Sequence, residues 1–239
     1  MIYINSIINQ KPIEERIAYP YNIPSILHFN KIDFRNNVSF IIGENGSGKS
    51  TFIEALAICA GFSPEGGSIF LNHGTYNSHS ELFNSFKLIR SGYRNKDGFF
   101  LRAESFYNVA SELDRISKPF EIEKNYGGSL HERSHGESFI ALLKNRLSGN
   151  GLYIFDEPES ALSIVSQLSM LVRIKELAEK DSQLIIATHS PILMAYPNSD
   201  IFCMTNSGLQ LVNYEDTEQY KLTKYFISNY HKVFRELGI

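Results

Sequence analysis

The chain has 239 residues, of which 43% are hydrophobic, and its formal net charge is −3. This length and composition predict one globular domain with a core of its own, and the slight acidity excludes a global basic field that would attract nucleic acid, although not a local basic patch. The first residues do not form a signal peptide, no apolar run approaches the roughly 18 residues of a spanning helix, and the two cysteines are far apart. We therefore expect a soluble, cytoplasmic protein with no membrane segment of its own.

Residues 1–42 are expected to form short strands separated by proline turns. The last strand, 38–42, leads into GENGSGKST, residues 43–51, which fits the pattern G-x-x-x-x-G-K-[ST]. Glycines without a Cβ atom let backbone N–H groups approach phosphate oxygens, and a helix beginning near Lys49 adds the positive end of its dipole. Lys49 offers a charge to the β- and γ-phosphates, and the Ser50 hydroxyl is an oxygen ligand of the kind that Mg²⁺ prefers. The string therefore predicts a phosphate-binding loop made by Gly43, Glu44, Asn45, Gly46, Ser47, Gly48, Lys49, Ser50 and Thr51.

The middle of the chain is less regular. The stretch 62–78 is rich in Gly, Ser and Asn and predicts a loop after Gly61, which we expect to end the preceding helix. Beyond it, helices are expected over 81–91, 106–116 and 137–147, and a strand over 99–103.

A strand–helix–strand pattern follows. Residues 152–155 and 184–187 are short continuous apolar runs, as expected of strands that are buried on both faces. Between them, apolar residues recur at spacings of three and four from Ile164 to Ala178, which predicts a helix. This alternation favours a parallel sheet with flanking helices, and therefore an α/β fold. After it we expect a hairpin of 201–204 with 209–214 and then a helical tail.

Two acidic residues and a histidine directly follow these buried strands. Asp156 and Glu157 end the string LYIFDE, and His189 follows the second strand after one threonine. Ligands of open α/β sheets bind at the carboxyl ends of the strands. Asp156 is therefore predicted to hold Mg²⁺, directly or through water, and Glu157 to act as the general base that polarises an attacking water. His189 is predicted to donate a hydrogen bond to a γ-phosphate or to hold that water.

The three strings, in this order, resemble those of the ATP-binding-cassette ATPase superfamily, which includes transporter cassettes and chromosome-maintenance ATPases. GENGSGKS is similar to its Walker A motif, LYIFDEPES to its Walker B motif, 160–163 to its D-loop and His189 to its switch histidine. Small stand-alone bacterial ATPases are similar also through GFFLRAESF, SHGESF and ATHSPIL. The resemblance implies a P-loop NTPase fold with a parallel-sheet core, an antiparallel β subdomain at the N-terminus and a helical signature lobe at about 62–147, all within one domain, 1–239.

The superfamily also carries a signature, LSGGQ or LSGGE, at a helix start between these motifs. Residues 133–137, RSHGE, occupy that place, and Ser134, Gly136 and Glu137 fit while Arg133 and His135 depart. In the superfamily, the signature of one subunit completes the phosphate site of another. The resemblance therefore implies that ATP joins two copies of this chain head to tail, with Ser134, Gly136 and Glu137 on the nucleotide of the second copy.

One family feature is absent from the sequence. The superfamily has a glutamine before the signature that touches Mg²⁺ and the attacking water, but no glutamine lies between Gln10 and Gln167. Glu104, at the end of the strand FFLRA, is the candidate replacement as a metal ligand. Its negative charge beside the triphosphate would slow turnover, and the alternative is an ordinary surface glutamate.

Two further strings point elsewhere. His131 to His135 match the zinc-protease pattern H-E-x-x-H, but the predicted helix begins after the second histidine. Residues 30–33 match a guanine-recognition string, but they precede the phosphate-binding loop rather than following it, so ATP is favoured. Three aromatic residues could stack on adenine or belong to the core, namely Tyr19, Tyr21 and Phe29.

Three functions remain open from the sequence. The first is a soluble ATP-driven dimerisation switch, slow in hydrolysis, that regulates an effector protein or a nucleic-acid process. The second is the nucleotide-binding subunit of a membrane transporter, which the absent glutamine disfavours. The third is an ATP sensor without hydrolysis, which Glu157 and His189 oppose. We expect the first, an ATPase with ATP and Mg²⁺ as ligands and a homodimer as its active state.

Overall fold

The structure is a computed structural model that describes residues 1–69, 80–103 and 135–239. Most of the sub-lobe expected at 62–147, including the predicted helix 106–116 and most of the predicted loop 62–78, lies outside these residues. The strands are β1 (Ile4–Asn9), β2 (Lys31–Asp33), β3 (Val38–Gly43), β4 (Gly67–Ser68), β5 (Phe86–Arg90), β6 (Asp97–Arg102), β7 (Gly151–Asp156), β8 (Gln183–Ala187), β9 (Asp200–Thr205) and β10 (Gly208–Leu211). The α-helices are α1 (Pro24–Leu27), α2 (Lys49–Ala60), α3 (His135–Asn145), α4 (Ile164–Glu179) and α5 (Glu218–Glu236).

The central sheet has seven strands in the order β10-β9-β3-β8-β7-β6-β4. Its five inner strands run parallel, and β10 and β4 close the two edges in antiparallel fashion. In β7 and β8 every residue is buried, as the continuous apolar runs predict. The predicted parallel-sheet α/β fold is therefore confirmed, and so is the hairpin of β9 with β10.

Side chains of each central strand alternate between two cores. Tyr153 and Phe155 of β7 point to the core covered by α3 and α4, whereas Leu152 and Ile154 point to the core that holds α2. A second sheet, of order β2-β1-β5 and wholly antiparallel, packs on the far side of α2, as expected for the N-terminal β subdomain. The helix α2 thus lies between the two sheets, with Phe52 in edge contact with Phe29 at 5.3 Å between ring centroids.

The helix predicted over 81–91 is wrong. Only Glu81–Ser85 is helical, as a 3₁₀ turn whose N-terminus is capped by the Ser80 side chain, and the chain then extends as β5. Strand β5 pairs with β1, with Ile7 opposite Leu88. This long-range pairing provides hydrogen-bond partners for the backbone N–H and C=O groups of 86–90. A local sequence pattern contains no information about such a pairing.

The remaining α-helices agree with the sequence predictions except for one short helix near the N-terminus. The short helix α1 interrupts the region that was expected to hold strands alone, and it begins with Pro24 at its first turn. The predicted helix 137–147 is present as α3, and the helical tail is present as α5. Among the described residues, no helix combines the length and the hydropathy needed to cross a bilayer.

Candidate functional site

The loop 43–51 connects the carboxyl end of β3 to the first residue of α2. Gly46 and Gly48 have positive φ angles of 78° and 92°, which residues with a Cβ atom rarely adopt. A Cβ atom on Gly48 would also lie 3.1 Å from Ile23 Cγ2, and one on Gly43 would lie 2.7 Å from Ser47 Oγ. The backbone conformation at Gly46 and Gly48 and the close packing at Gly43 and Gly48 therefore require glycine. The N–H groups of the loop lie at the start of α2.

Lys49 is almost fully buried beneath this loop. Its Nζ donates hydrogen bonds to the carbonyl oxygens of Gly43, at 3.1 Å, and Glu44, at 2.9 Å. Burial lowers the pKa of the Lys49 ammonium, and the carboxylates of Glu157, Asp156 and Glu159 act in the opposite direction. The Lys49 ammonium therefore lies among carbonyl oxygens at the loop, in a position to contact a phosphate that binds there.

Ser50 and Asp156 meet at the carboxyl end of β7. Ser50 Oγ donates to Asp156 Oδ1 at 3.3 Å, and Arg102 Nε lies 3.8 Å from Asp156 Oδ2. Arg102 Nη1 is in turn paired with Glu54 Oε2 at 2.6 Å. A hydroxyl and a carboxylate are hard oxygen donors, so this pair fits Mg²⁺. Among the described residues, no group of three His, Cys, Asp or Glu side chains forms a further metal site.

Glu157 and His189 face each other at the ends of β7 and β8. The Glu157 backbone is left-handed, with φ at 50°, and its N–H donates to the Ala187 carbonyl oxygen at 3.0 Å. His189 Nε2 lies 3.4 Å from Glu157 Oε1, and both side chains are partly exposed. The Nε2 atom is buried and has no hydrogen-bond partner among the described residues. An imidazole nitrogen and a carboxylate are thus held side by side next to the loop.

Glu159 is a site residue that was not predicted from the sequence. Its Oε1 accepts a hydrogen bond from the His189 backbone N–H at 2.5 Å, and its Oε2 is buried without a partner in the described part of the chain. Arg102, which contacts Asp156, was missed as well. The signal available for both was their position, since Glu159 stands two residues after Glu157 and Arg102 ends a strand beside β7.

A cavity of about 370 Å³ opens over the outer side of the loop. Tyr19 and Ile23 form one wall, and Gly46, Lys49, Thr51 and Glu157 belong to the other. Of the three aromatic residues considered for adenine, Tyr19 is 70% exposed, whereas Tyr21 and Phe29 are buried. Tyr19 alone of these three can therefore offer its ring to a ligand in this cavity.

The described residues that resemble the signature lie outside the cavity at the loop 43–51. Gly136, at the start of α3, is so close to the D-loop that a Cβ atom there would lie 2.9 Å from the Ala161 carbonyl oxygen. Gly136 and Glu137 line a groove between α3 and α4 that includes Ser166 and Ser169 but no residue of the loop 43–51. Ser134 and Glu104, the other predicted residues of this region, fall outside the described residues, and so do His131 and the rest of the zinc-protease string up to residue 134.

The chain matches one family model and is similar to several curated proteins. A family model described as an AAA domain matches residues 22–187. Among curated proteins, the hemin import ATP-binding protein HmuV of Idiomarina loihiensis is 27% identical over 192 residues, which cover 72% of this chain and 73% of that protein. The zinc import ATP-binding protein ZnuC of Wolbachia pipientis wMel is also 27% identical and covers 85% of this chain and 83% of its own length.

A solved structure is similar along its whole length. The protein cbiO1 of Clostridium perfringens, described as part of the ABC transporter complex cbiONQ, superposes with a TM-score of 0.53 at 16% identity, covering 100% of both chains. At that identity the likeness concerns the fold alone. Because the family match spans well over half of the chain, this protein belongs to the AAA domain family and is an ATP-binding ATPase of the ATP-binding-cassette superfamily.

Proposed function

We propose that this ATPase works as a pair of copies that close head to tail around ATP. In each site, the loop 43–51 holds the phosphates, and Ser134, Gly136 and Glu137 of the second copy cover them. The observation that carries the proposal is the separation within one chain: Gly136 and Glu137 line a groove that shares no residue with the cavity of Lys49 and Glu157. A signature placed in this way needs a second copy to reach a nucleotide.

The chemistry assigned to each site uses few residues. Lys49 exchanges its two carbonyl partners for the β- and γ-phosphate oxygens. Ser50 and Asp156, with Glu104 as a further candidate, hold Mg²⁺, which would neutralise charge on the phosphates when bound. Glu157 Oε1 orients the attacking water and accepts its proton, and His189 Nε2 donates to the γ-phosphate.

The relatives support a particular kind of partner. Two of them are named as import proteins, for hemin and for zinc, and another as an energy-coupling factor transporter ATP-binding protein. We therefore place first a role as the nucleotide-binding subunit of a membrane transporter, in which closure of the two copies drives the membrane-spanning partner. This ranking departs from the expectation drawn from the sequence, which placed the soluble switch first.

A second candidate keeps a specific observation in its favour. No glutamine occurs between Gln10 and Gln167, so the residue that family members place at the metal and the attacking water is absent. This absence favours a slow switch that controls an effector protein or a nucleic-acid process. Incubation of the purified protein with a detergent-solubilised membrane fraction, or with DNA and RNA, separates the two candidates. ATP-dependent capture of an integral membrane protein supports the transporter role. Capture of a soluble partner without an integral membrane protein supports the switch.

The pairing itself is tested by light scattering after size-exclusion chromatography. Glu157→Gln replaces the carboxylate with a neutral amide of the same shape, which cannot accept the proton. ATP should therefore trap this variant as a dimer, while ADP should leave it monomeric. Glu179→Gln, on an exposed helix face, is the matched control and should behave as the unsubstituted protein. A Glu157→Gln variant that binds ATP and stays monomeric would overturn the proposal.

A further inference from the structure

The C-terminal helix α5 has an apolar face that no other described element covers. None of its residues is buried. Leu222, Phe226 and Ile227 precede Asn229, where the backbone departs from helical geometry, and Tyr230 and Phe234 follow it. The ring of Phe234 contacts the rings of Phe226 and Tyr230, in both cases at 6.1 Å between centroids, so aromatic residues of the two segments lie together. These five residues are here called the tail face. Leu222 and Ile227 are 60% and 68% exposed. The helix also carries the cations Lys221, Lys224, Lys232 and Arg235.

A second exposed apolar stripe runs along α4. It consists of Ile164, Val165, Leu168 and Val172, which are 66%, 72%, 52% and 60% exposed, and it is here called the α4 stripe. The other side of α4 is buried on the central sheet through Met170, Ile174 and Leu177. The stripe is therefore the outer surface of an anchored helix, not a sign of loose packing.

The two surfaces begin beside opposite halves of the proposed shared site. At the foot of α5, Glu218 and Gln219 line a cavity of about 420 Å³ together with Glu44 and Asn45 of the phosphate-binding loop. At the start of α4, Ser166 and Ser169 line the groove that contains Gly136 and Glu137 of the signature region. The helix of the tail face thus begins next to the loop 43–51, and the helix of the α4 stripe begins next to Gly136 and Glu137.

We propose that the tail face of each copy packs on the α4 stripe of the second copy. The inference rests on the head-to-tail pairing proposed above, in which the loop of one copy meets the signature of the other. That pairing brings each α5 to the α4 of its partner, and twofold symmetry repeats the contact. One occupant, a second copy, then covers both exposed surfaces of the chain.

The size of the surfaces agrees with this assignment. A buried aromatic side chain covers roughly 150–250 Å², so each exposed apolar residue of the two surfaces contributes on the order of 100 Å². With nine such residues in each contact, two symmetric contacts would bury on the order of 1,800 Å², which lies within the range of a standard stable interface. A lipid surface, for which the cations of α5 are also suited, would leave the α4 stripe uncovered.

Sedimentation equilibrium in the Glu157→Gln background with ATP tests the contact from both sides. Leu222→Asp with Phe226→Asp on the tail face, and separately Leu168→Asp on the α4 stripe, should each weaken the ATP-dependent dimer at least tenfold. The affinity of the monomer for a fluorescent ATP analogue, measured at protein concentrations too low for the dimer to form, should be unchanged. Leu211→Asp is the matched control, because Leu211 is 46% exposed on the edge strand β10. Circular dichroism verifies that each variant is folded, and the α4 variant keeps the test valid should the tail variant unravel α5.

A disulfide test locates the contact directly. Copies carrying Phe226→Cys, mixed with tagged copies carrying Leu168→Cys, should cross-link with ATP and not with ADP. A dimer that is unaffected by the substitutions and gives no mixed cross-link overturns this inference and leaves the pairing intact, as does a tail face that binds phosphatidylglycerol vesicles without affecting the dimer. Absence of any ATP-dependent dimer in the Glu157→Gln background overturns the pairing and this inference together.

Discussion

Ser50 Oγ and Asp156 Oδ1 lie 3.3 Å apart although 106 positions separate the two residues in the sequence. One begins the helix after β3 and the other ends β7, and the parallel sheet brings both to its carboxyl edge. This pair of oxygens, next to Lys49, leads to the first prediction.

Asp156→Asn should lower phosphate release from ATP about a hundredfold or more, and it should raise the Mg²⁺ concentration needed for half-maximal activity. The reason is the loss of the charged oxygen donor in the pair with Ser50. A coupled phosphate assay with a Mg²⁺ titration measures both effects. Asp181→Asn, on an exposed turn, is the control, and an Asp156→Asn enzyme with unchanged Mg²⁺ dependence would contradict the metal assignment.

Tyr19→Ala should weaken ATP binding about tenfold or more, since stacking of a base on an aromatic ring contributes about 1–3 kcal/mol. Tyr19→Phe keeps the ring and should retain the affinity. Isothermal titration calorimetry with ATP and with tripolyphosphate makes the test specific, because only the affinity for ATP should change. Tyr93→Ala, which removes a ring that is 63% exposed elsewhere on the surface, should have no effect.

Glu159→Ala should lower kcat about tenfold with little change in KM. The Glu159 carboxylate holds the His189 backbone N–H, so its removal releases the residue that we propose as the donor to the γ-phosphate. Glu159→Gln keeps an acceptor oxygen and should restore most of the rate, which a general loss of folding would not allow. Steady-state kinetics beside Glu179→Ala as control measures the difference, and equal losses in the alanine and glutamine variants would rule out the positioning role.

Arg146→Ala should destabilise the fold by about 3 kcal/mol. Arg146 Nη1 pairs with Asp97 Oδ1 at 2.9 Å, and the Tyr153 hydroxyl donates to Asp97 Oδ2 at 3.0 Å. Burial, and then the Asp97 carboxylate, raise the pKa of Tyr153, so this hydroxyl keeps its proton as the donor. Tyr153→Phe should therefore cost only about 1–2 kcal/mol. Urea unfolding followed by fluorescence gives both values, and equal effects would contradict the central place of the ion pair.

Cys59 should resist alkylation in the folded protein. Burial, which Arg90 only partly offsets, raises the pKa of the Cys59 thiol to about 11, so about one thiol in a thousand is ionised at pH 8. The unfolded thiol ionises near pH 8.5, so unfolding releases a proton at higher pH, and this contribution to stability is lost as pH rises towards 11. Iodoacetamide labelling followed by mass spectrometry checks the prediction, with urea-unfolded protein as the reactive control. Rapid labelling of folded Cys59 at pH 8 would contradict it.

Much of the site could be predicted because its signals are local. The loop 43–51 is a contiguous string whose glycines reflect backbone angles. Asp156 directly follows a buried apolar run, and His189 follows another after Thr188. Other features depend on contacts between distant parts of the chain. The strand β5 forms where a helix was expected, because it pairs with β1, and Glu159 acquires its role only through the N–H of His189.

The sequence by itself determined the fold class and the order of the nucleotide motifs, and it predicts the residue types that meet phosphate and metal, since strand burial, glycine conformation and charge are encoded at single positions. Only the tertiary structure decided which of Tyr19, Tyr21 and Phe29 is exposed beside the loop and that Gly136 and Glu137 line a separate groove. It also decided that α5 begins beside the loop 43–51, whereas α4 begins beside that groove. Burial and neighbourhood are properties of the packed chain, because each depends on residues that lie far away in the sequence.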